Sequence, residues 1–476
     1  MIRITIDVLP DDVILGVFDF YVYTDLYTRY SYEGKKKTEA WQLLVHVCRR
    51  WRNLVFVSPR CLNLRLFCTP QTPAKDRLDV WPTLPPIIDG DVESFSAMHN
   101  VIAALGQSNR VCRVAFSHLA GWQLEKVLAA MQVSFPELTD LYLRSFGETP
   151  VIPDSFLGGS APRLQYLELE VTPFPGLPKL LPSATQLVDL HLFGIPHSGY
   201  ISPKEMVASL SVLPCLESLI LEFRSPQSRP DWESQSLPPP KRSILPALSY
   251  FYFRGVIEYL EQLVACIDTP QLDQMKLTFF NQIDFDFPRL AQFINITPTL
   301  RVRASEAHVT LYDFAAEVEL RCPTSKNRTR DLQIRISCKE PDWQLSSMAI
   351  EQVCNSLPTF SMVEDLYIKH QYSKLVWKDG AIENSLWLEV LLPFTAVKNL
   401  YLSEEFAPGI AAALQELVGG RMTEVLPSLQ NIFVMGLEES GSIRENIGQF
   451  VAARQLSDHP IAISNWDRTD AHIYRI

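Results

Sequence analysis

Apolar and polar positions along this chain follow two different periods, and the change from one to the other divides it. Near the N-terminal end, LPDDVILGVFDFYV and WQLLVHVCRRWRNLVFVS carry apolar residues at helical spacing. Leu9, Val13 and Val17 fall at i, i+4 and i+8, with Ile14, Phe18 and Val22 widening the face. Leu43, Val47 and Trp51 do the same beside Leu44, Cys48 and Val55. Between these segments YTDLYTRYSYEGKKKTEA has little to bury. Two apolar helices of this size cannot bury both sides of a three-helix unit alone, so part of their surface is expected to await a partner.

From about residue 101 the period becomes that of a strand. An apolar residue, two others, an apolar residue, one other and an apolar residue recur as Val111-Val114-Phe116, Leu138-Leu141-Leu143, Leu164-Leu167-Leu169, Leu187-Leu190-Leu192 and Leu216-Leu219-Leu221. The run continues through Leu248-Phe251-Phe253, Leu272-Met275-Leu277, Leu332-Ile334, Val363-Leu366-Ile368, Val397-Leu400-Leu402 and Leu429-Ile432-Val434. The last two apolar residues of each copy are two apart, so they share one face of a strand. Between copies, Leu124-Leu128-Met131, Leu260-Val264-Ile267, Ile350-Val353-Leu357 and Ile410-Leu414-Leu417 predict helices, and Ser202-Pro203-Lys204-Glu205 predicts a capped helix start. Steady alternation of strand and helix implies a parallel sheet with helices on one side. AHVTLYD and EVELR read as extra strands, residues 224–243 as an exposed loop, 443–456 as a last helix and 461–463 as a capping strand.

Two resemblances follow from these residues. Leu9-Pro10, Asp12, Val13-Ile14, Val17-Phe18, then Val47-Cys48-Arg49-Arg50-Trp51-Arg52 and Ser58-Pro59, resemble an F-box. In that family this segment attaches a substrate receptor to the Skp-family adaptor of a cullin-RING ubiquitin ligase. The insert with Lys35-Lys36-Lys37 departs from the family pattern, standing where a short second helix and its leucine pair would be. The LxxLxL copies resemble leucine-rich repeats, although their spacing is uneven, 23 residues from Leu164 to Leu187 and 34 from Val363 to Val397, and the usual asparagine is missing.

Together the resemblances describe a fungal-type F-box protein of the α/β class: a helical F-box lobe (1–68), a Pro-rich connector (69–100), a leucine-rich-repeat-like solenoid with a curved parallel sheet and helices on its convex side (101–456), and a C-terminal cap (457–476). They imply a substrate-recognition subunit of an SCF-type ligase. Leu9, Pro10, Val13, Ile14, Val17, Phe18, Val47, Cys48 and Trp51 would dock on the adaptor, and a cullin would join through it. The alternative is a repeat scaffold that works outside any ligase, and the N-terminal helices can also be read as ordinary core.

The outward position at the centre of each copy reads Ala115, Tyr142, Glu168, His191, Ile220, Tyr252, Lys276, Gln333, Tyr367, Tyr401 and Phe433. Tyr142, His191, Tyr252, Tyr367, Tyr401 and Phe433 form a candidate target-binding row, because aromatic side chains give large contact area for little lost freedom. Cross-strand packing explains the same row without a target.

Composition narrows the partners. Of 476 residues 47% are hydrophobic and 20% charged, which marks a globular chain. Residues 1–90 carry 12 Lys/Arg against 10 Asp/Glu, and the remainder 31 against 44, so the acidic body would repel a nucleic-acid backbone. Nine cysteines without a CxxC pair, no apolar signal core and no membrane-length apolar run lead to an expected cytoplasmic or nuclear setting with no membrane partner. GxxxxGK[ST], HExxH, GxSxG and GxGxxG are all missing, so neither catalysis nor a cofactor or metal is expected. An eight-stranded βα barrel enzyme is the remaining catalytic alternative.

Overall fold

The computed structural model of the protein describes residues 9–28, 40–57, 66–71, 78–79, 84–90, 92, 95–147, 149–227, 242–280, 287–300, 305–312, 314–322, 330–337, 343–370, 382–417, 421, 423–436, 442–456 and 459–466. The Lys35–Lys37 run, Leu62, Leu64 and most of the expected loop, residues 228–241, lie outside them. The chain divides into two compact units, residues 1–167 and 168–476.

The first unit begins with three helices, α1 (Asp11–Thr28), α2 (Ala40–Val45) and α3 (Arg49–Val57). The second apolar segment is therefore two helices and not one. Amides of His46 and Val47 donate to the carbonyls of Leu43 and Leu44, which tightens and ends α2, and the Cys48 sulfur accepts from the Trp51 amide at the start of α3. The break lets Leu44, Val45 and Val55 all reach the core that a single straight stripe could not serve. The short helix α2, which carries Leu43-Leu44, comes after the insert, whose residues 29–39 lie outside the described ones. Ile14 and Phe18 bury from α1, and the Phe18 and Trp51 rings meet edge to face, 4.7 Å between centroids.

Strands follow as β1 (Leu66–Cys68), β2 (Pro86–Asp89), β3 (Arg113–Ala120) and β4 (Asp140–Phe146), each parallel to the next. Parallel pairing thus starts well before residue 101, inside the segments assigned above to the lobe and connector, because the motif that signals it is shortened there to a few apolar residues. Strand β5 (Tyr166–Glu170) lies at the boundary of the two units.

The second unit contains β6 (Asp189–Ile195), β7 (Ser218–Phe223), β8 (Ser243–Ile244), β9 (Tyr250–Gly255), β10 (Ile267–Asp268), β11 (Gln274–Phe280), β12 (Glu306–Tyr312), β13 (Ala315–Cys322), β14 (Arg330–Ser337), β15 (Asp365–His370), β16 (Asn399–Leu402), β17 (Asn431–Met435) and β18 (Ala462–Trp466). Among the described residues its main sheet runs β6-β7-β9-β11-β14-β13-β12-β15-β16-β17-β18 and ends on β18 without closing, which removes the barrel alternative; β8 and β10 pair separately. Steady parallel alternation fails in the middle. Strand β12 ends at Tyr312 and β13 starts at Ala315, too few residues for a crossover, so β12, β13 and β14 pair antiparallel. Ile267, expected on a helix, lies in β10.

Elsewhere the repeat is regular for a visible reason. No LxxLxL residue in any copy is more than 5% exposed. The Glu364 carbonyl accepts from the amides of Lys398 and Asn399, and the Lys398 carbonyl accepts in turn from Gln430 and Asn431. Backbone bonds repeated in one register link copy to copy where an asparagine was missing. The helix Pro203–Leu210 starts as its sequence implies: Ser202 Oγ accepts from the Glu205 amide at 3.3 Å while the Glu205 carboxylate accepts from the Ser202 amide at 3.2 Å. The last helix is Ser442–Leu456, and β18 adds parallel to β17.

Candidate functional site

Two surfaces carry the residues singled out from the sequence. On α1 and its neighbours the nine candidate adaptor contacts separate into two sets. Ile14 and Phe18 point inward, each 1% exposed, and Leu9, Cys48 and Trp51 are half-buried. Pro10 is exposed, and Val13, Val17 and Val47 are 44%, 50% and 59% exposed. Phe20, Tyr21, Leu43, Phe56 and Val57 are exposed beside them in sequence. Scattered exposed apolar residues are ordinary, whereas these are grouped on three consecutive helices. The entry to α1 is fixed by Arg50, whose guanidinium donates to Asp11 Oδ1 at 3.1 Å and to the Leu9 carbonyl at 2.6 Å. Arg52 likewise donates to the Val45 carbonyl at 2.9 Å. Two of the three arginines of the VCRRWR run, Arg50 and Arg52, thus hold the helices to one another. This role was not legible in the motif alone.

The second surface is the outward face of the sheet in the second unit. Strand register places His191, Ile220, Tyr252, Lys276, Gln333, Glu319, His308, Tyr367, Tyr401, Phe433 and Ser464 side by side. The expected six-residue aromatic row is therefore not one patch. Tyr252 and Tyr367 are five strands apart, about 24 Å at the usual strand spacing, with polar side chains between. Tyr142 belongs to the first unit, where it pairs with Ala115.

Four rings do come together. His308, Tyr367, Tyr401 and Phe433 stack nearly parallel, with successive centroids at 4.5, 4.2 and 4.6 Å and interplanar angles no larger than 9°. Their faces are satisfied by one another and their edges are what the row offers. Beside it, two residues earlier on the same strands, Asn399 donates to Asp365 at 2.6 Å and Asn431 to Asn399 at 2.7 Å, a second ladder in the same register. Trp466 from β18 closes on the row, 5.5 Å from Tyr401 and 6.0 Å from Tyr367. The Lys369 ammonium lies over Tyr367 at 4.7 Å and over Trp466 at 5.4 Å.

Burial dominates the electrostatics of this row. Lys369 is 9% exposed, and desolvation, helped by Arg321, pulls its pKa down to about 8. His308, 2% exposed and 3.4 Å from Lys369, is held below its ordinary value, again by burial first, although Glu306 at 3.6 Å opposes the shift. Burial raises Tyr367 and Tyr401, and Glu306 falls below the carboxylate range through its bond to His308. Neither His308 nor Trp466 was singled out from the sequence. The first lies in the irregular copies, and the second lies after the last motif.

His191 has the other cluster. Its Nε2 is 2.9 Å from Ser218 Oγ and its Nδ1 is 3.6 Å from Glu168, with Asp189 at 3.9 Å. A hydroxyl, an imidazole and a carboxylate in line invite a nucleophilic reading. The Ser218 amide, however, donates to the Val188 carbonyl within the sheet, so it is not aimed at an oxyanion. Proximity along adjacent strands accounts for the group. Among the described residues no set of three or more His, Cys, Asp or Glu side chains could hold a metal, and no helix is long and apolar enough to cross a membrane.

No family model matches this chain, and no curated protein matches it. Among solved structures it is similar to the leucine-rich repeat-containing protein LegL7 from Legionella pneumophila, with 13% identity and a TM-score of 0.27 over 83% of this chain and 98% of that one. A likeness that weak carries no argument about function.

Proposed function

We propose that this chain is the substrate-recognition subunit of an SCF-type ubiquitin ligase, an F-box receptor that binds a Skp-family adaptor through α1–α3 and a target protein through the outward face of its repeats. The observation that supports the reading is the division of one apolar set into inward and outward members. Ile14 and Phe18 complete the small core while Val13, Val17 and Val47 stay uncovered. Burying apolar surface is worth about 25 cal/mol per Å², so helices that stop short of doing so are suited to a partner that finishes it. Thioester transfer of ubiquitin would belong to other subunits, with this chain supplying proximity.

The target would meet the stacked end of the row, Tyr367, Tyr401 and Phe433, where ring edges and hydroxyls are presented on a rigid base. Replacing Leu9 and Pro10 together by Ala should abolish co-purification with the adaptor while the repeats stay folded. Undiminished recovery of the adaptor sinks the F-box assignment. If the adaptor binds but no cullin co-elutes with the pair, the chain is a repeat scaffold working outside a ligase.

A further inference from the structure

Strand β18 differs from the strands before it. At the positions where β17 buries Ile432 and Val434 completely, β18 carries Ile463, half-buried, and Asn465, exposed. Ala462 and Ser464 are exposed as well. Within the strand Trp466 is the buried side chain, 7% exposed, Ile461 just before the strand is buried as well, and the backbone pairs with β17. Among the described residues it is also the outermost strand of its sheet.

What precedes it is anchored independently. Arg454 of the helix Ser442–Leu456 is 0% exposed and donates to the Leu426 carbonyl at 3.0 Å, so that helix has an anchor apart from β18. A strand that buries so little, joined to a helix that stays put, is suited to local opening at low cost. When it opens, two things appear together: the backbone edge of β17, and the rings of Tyr367 and Tyr401 that Trp466 covers. Edge pairing supplies affinity and a side-chain site supplies selectivity when an extended peptide adds to a sheet.

We propose that the edge of β17 together with the aromatic row is a strand-addition site for an extended partner segment carrying an aromatic side chain, and that β18 with Trp466 is its internal occupant. The chemistry of the partner is argued from the occupant: an indole packed on Tyr367 and Tyr401 and against the Lys369 ammonium, on a strand parallel to β17. The proposal rests on the reading that this row captures the target, and deepens it. Target capture then requires displacement of Trp466, and the chain is closed until a segment of matching pattern competes.

The exchange and peptide arms of the test use the full chain and need neither adaptor nor target. Hydrogen exchange should show amides of residues 462–466 exchanging about 100-fold faster than those of 399–402, while helix 442–456 stays protected. A synthetic peptide HPIAISNWD, the sequence of residues 459–467, should bind the Trp466→Ala chain at least about tenfold more tightly than the unsubstituted chain. The same peptide with Ala for its Trp should bind neither. Protection of 462–466 equal to that of 399–402, or equal peptide binding by both chains, overturns the proposal. A concentration-dependent dimer that Trp466→Ala removes would assign the site to a second copy, which also overturns it. Loss of target capture in a Tyr367→Ser, Tyr401→Ser chain whose β18 stays shut would show that the row binds without strand addition.

Discussion

The two surfaces solve the same problem in opposite ways. On α1–α3 several apolar side chains outside the core stay exposed, Val17 at 50% and Val47 at 59%. On the second unit the outward aromatics compensate one another: four rings stack in register, and Trp466 covers part of what remains. A surface of the first kind keeps apolar area uncovered. One of the second kind stabilises its own sheet whether or not a partner comes, so aromatic content alone does not identify a binding face. The incompleteness of its packing does.

Substitutions can sharpen that contrast, beginning with the largest effect. Phe18→Ala removes a fully buried ring and its edge contact with Trp51, and should cost about 3–5 kcal/mol, read as loss of hydrogen-exchange protection in α1–α3. Should protection survive, the three helices have no core of their own and the inward set has been misidentified.

Tyr401→Ala comes next. Tyr401 is the middle ring between Tyr367 and Phe433, and losing two stacked partners should cost about 1–3 kcal/mol in denaturant unfolding of the second unit. Tyr401→Phe keeps both stacks and should cost under about 0.5 kcal/mol. Equal losses from the two would mean that the hydroxyl, and not the stack, holds the row.

The third effect is on pH. Lys369 has its pKa lowered to about 8 from 10.5 by burial, so above pH 8 the folded chain has released a proton that the unfolded chain keeps until about pH 10.5. The unfolded state binds more protons through that window, and stability must rise with pH across it. Above pH 10 the sign reverses, since Tyr367 and Tyr401 are held neutral in the fold while unfolded tyrosines ionise. His308 acts like Lys369 at lower pH: held below 6.5 by burial, it removes stability as pH falls through 6.5. Denaturant midpoints measured from pH 5 to 11 should trace this rise and fall, and Lys369→Met should flatten the limb between 8 and 10.

Val17→Ala is the smallest. At an exposed position it should change stability by less than about 0.5 kcal/mol, and a large loss would show the residue to be core.

Much of the second unit was legible because LxxLxL states its own geometry: two apolar residues on one strand face, preceded by one at the bend, predict burial that the structure shows for every copy. The extra strands at 306–322 were legible too, but not their antiparallel pairing, which depends on the shortness of the link between β12 and β13. That inversion brings His308 and Glu319 into the outward row, where no count along the motif could put them. Trp466 was hidden for a different reason. It follows the last repeat, and only the register of β18 on β17 turns it toward Tyr401. On the N-terminal helices, Leu44, Cys48, Trp51 and Val55 fit one continuous stripe, so the break at residues 46–48 could not be seen; it is set by how Cys48 meets the Trp51 amide.

The measurement that bears most directly on the central claim is the affinity of a Skp-family adaptor for the full chain and for a Val17→Glu, Val47→Glu variant, made alongside their melting temperatures. Both positions are uncovered, so the account predicts melting temperatures within about 2 °C of each other and adaptor binding weakened at least about 100-fold by two charges buried at the interface. Adaptor binding unchanged by the two glutamates would contradict it.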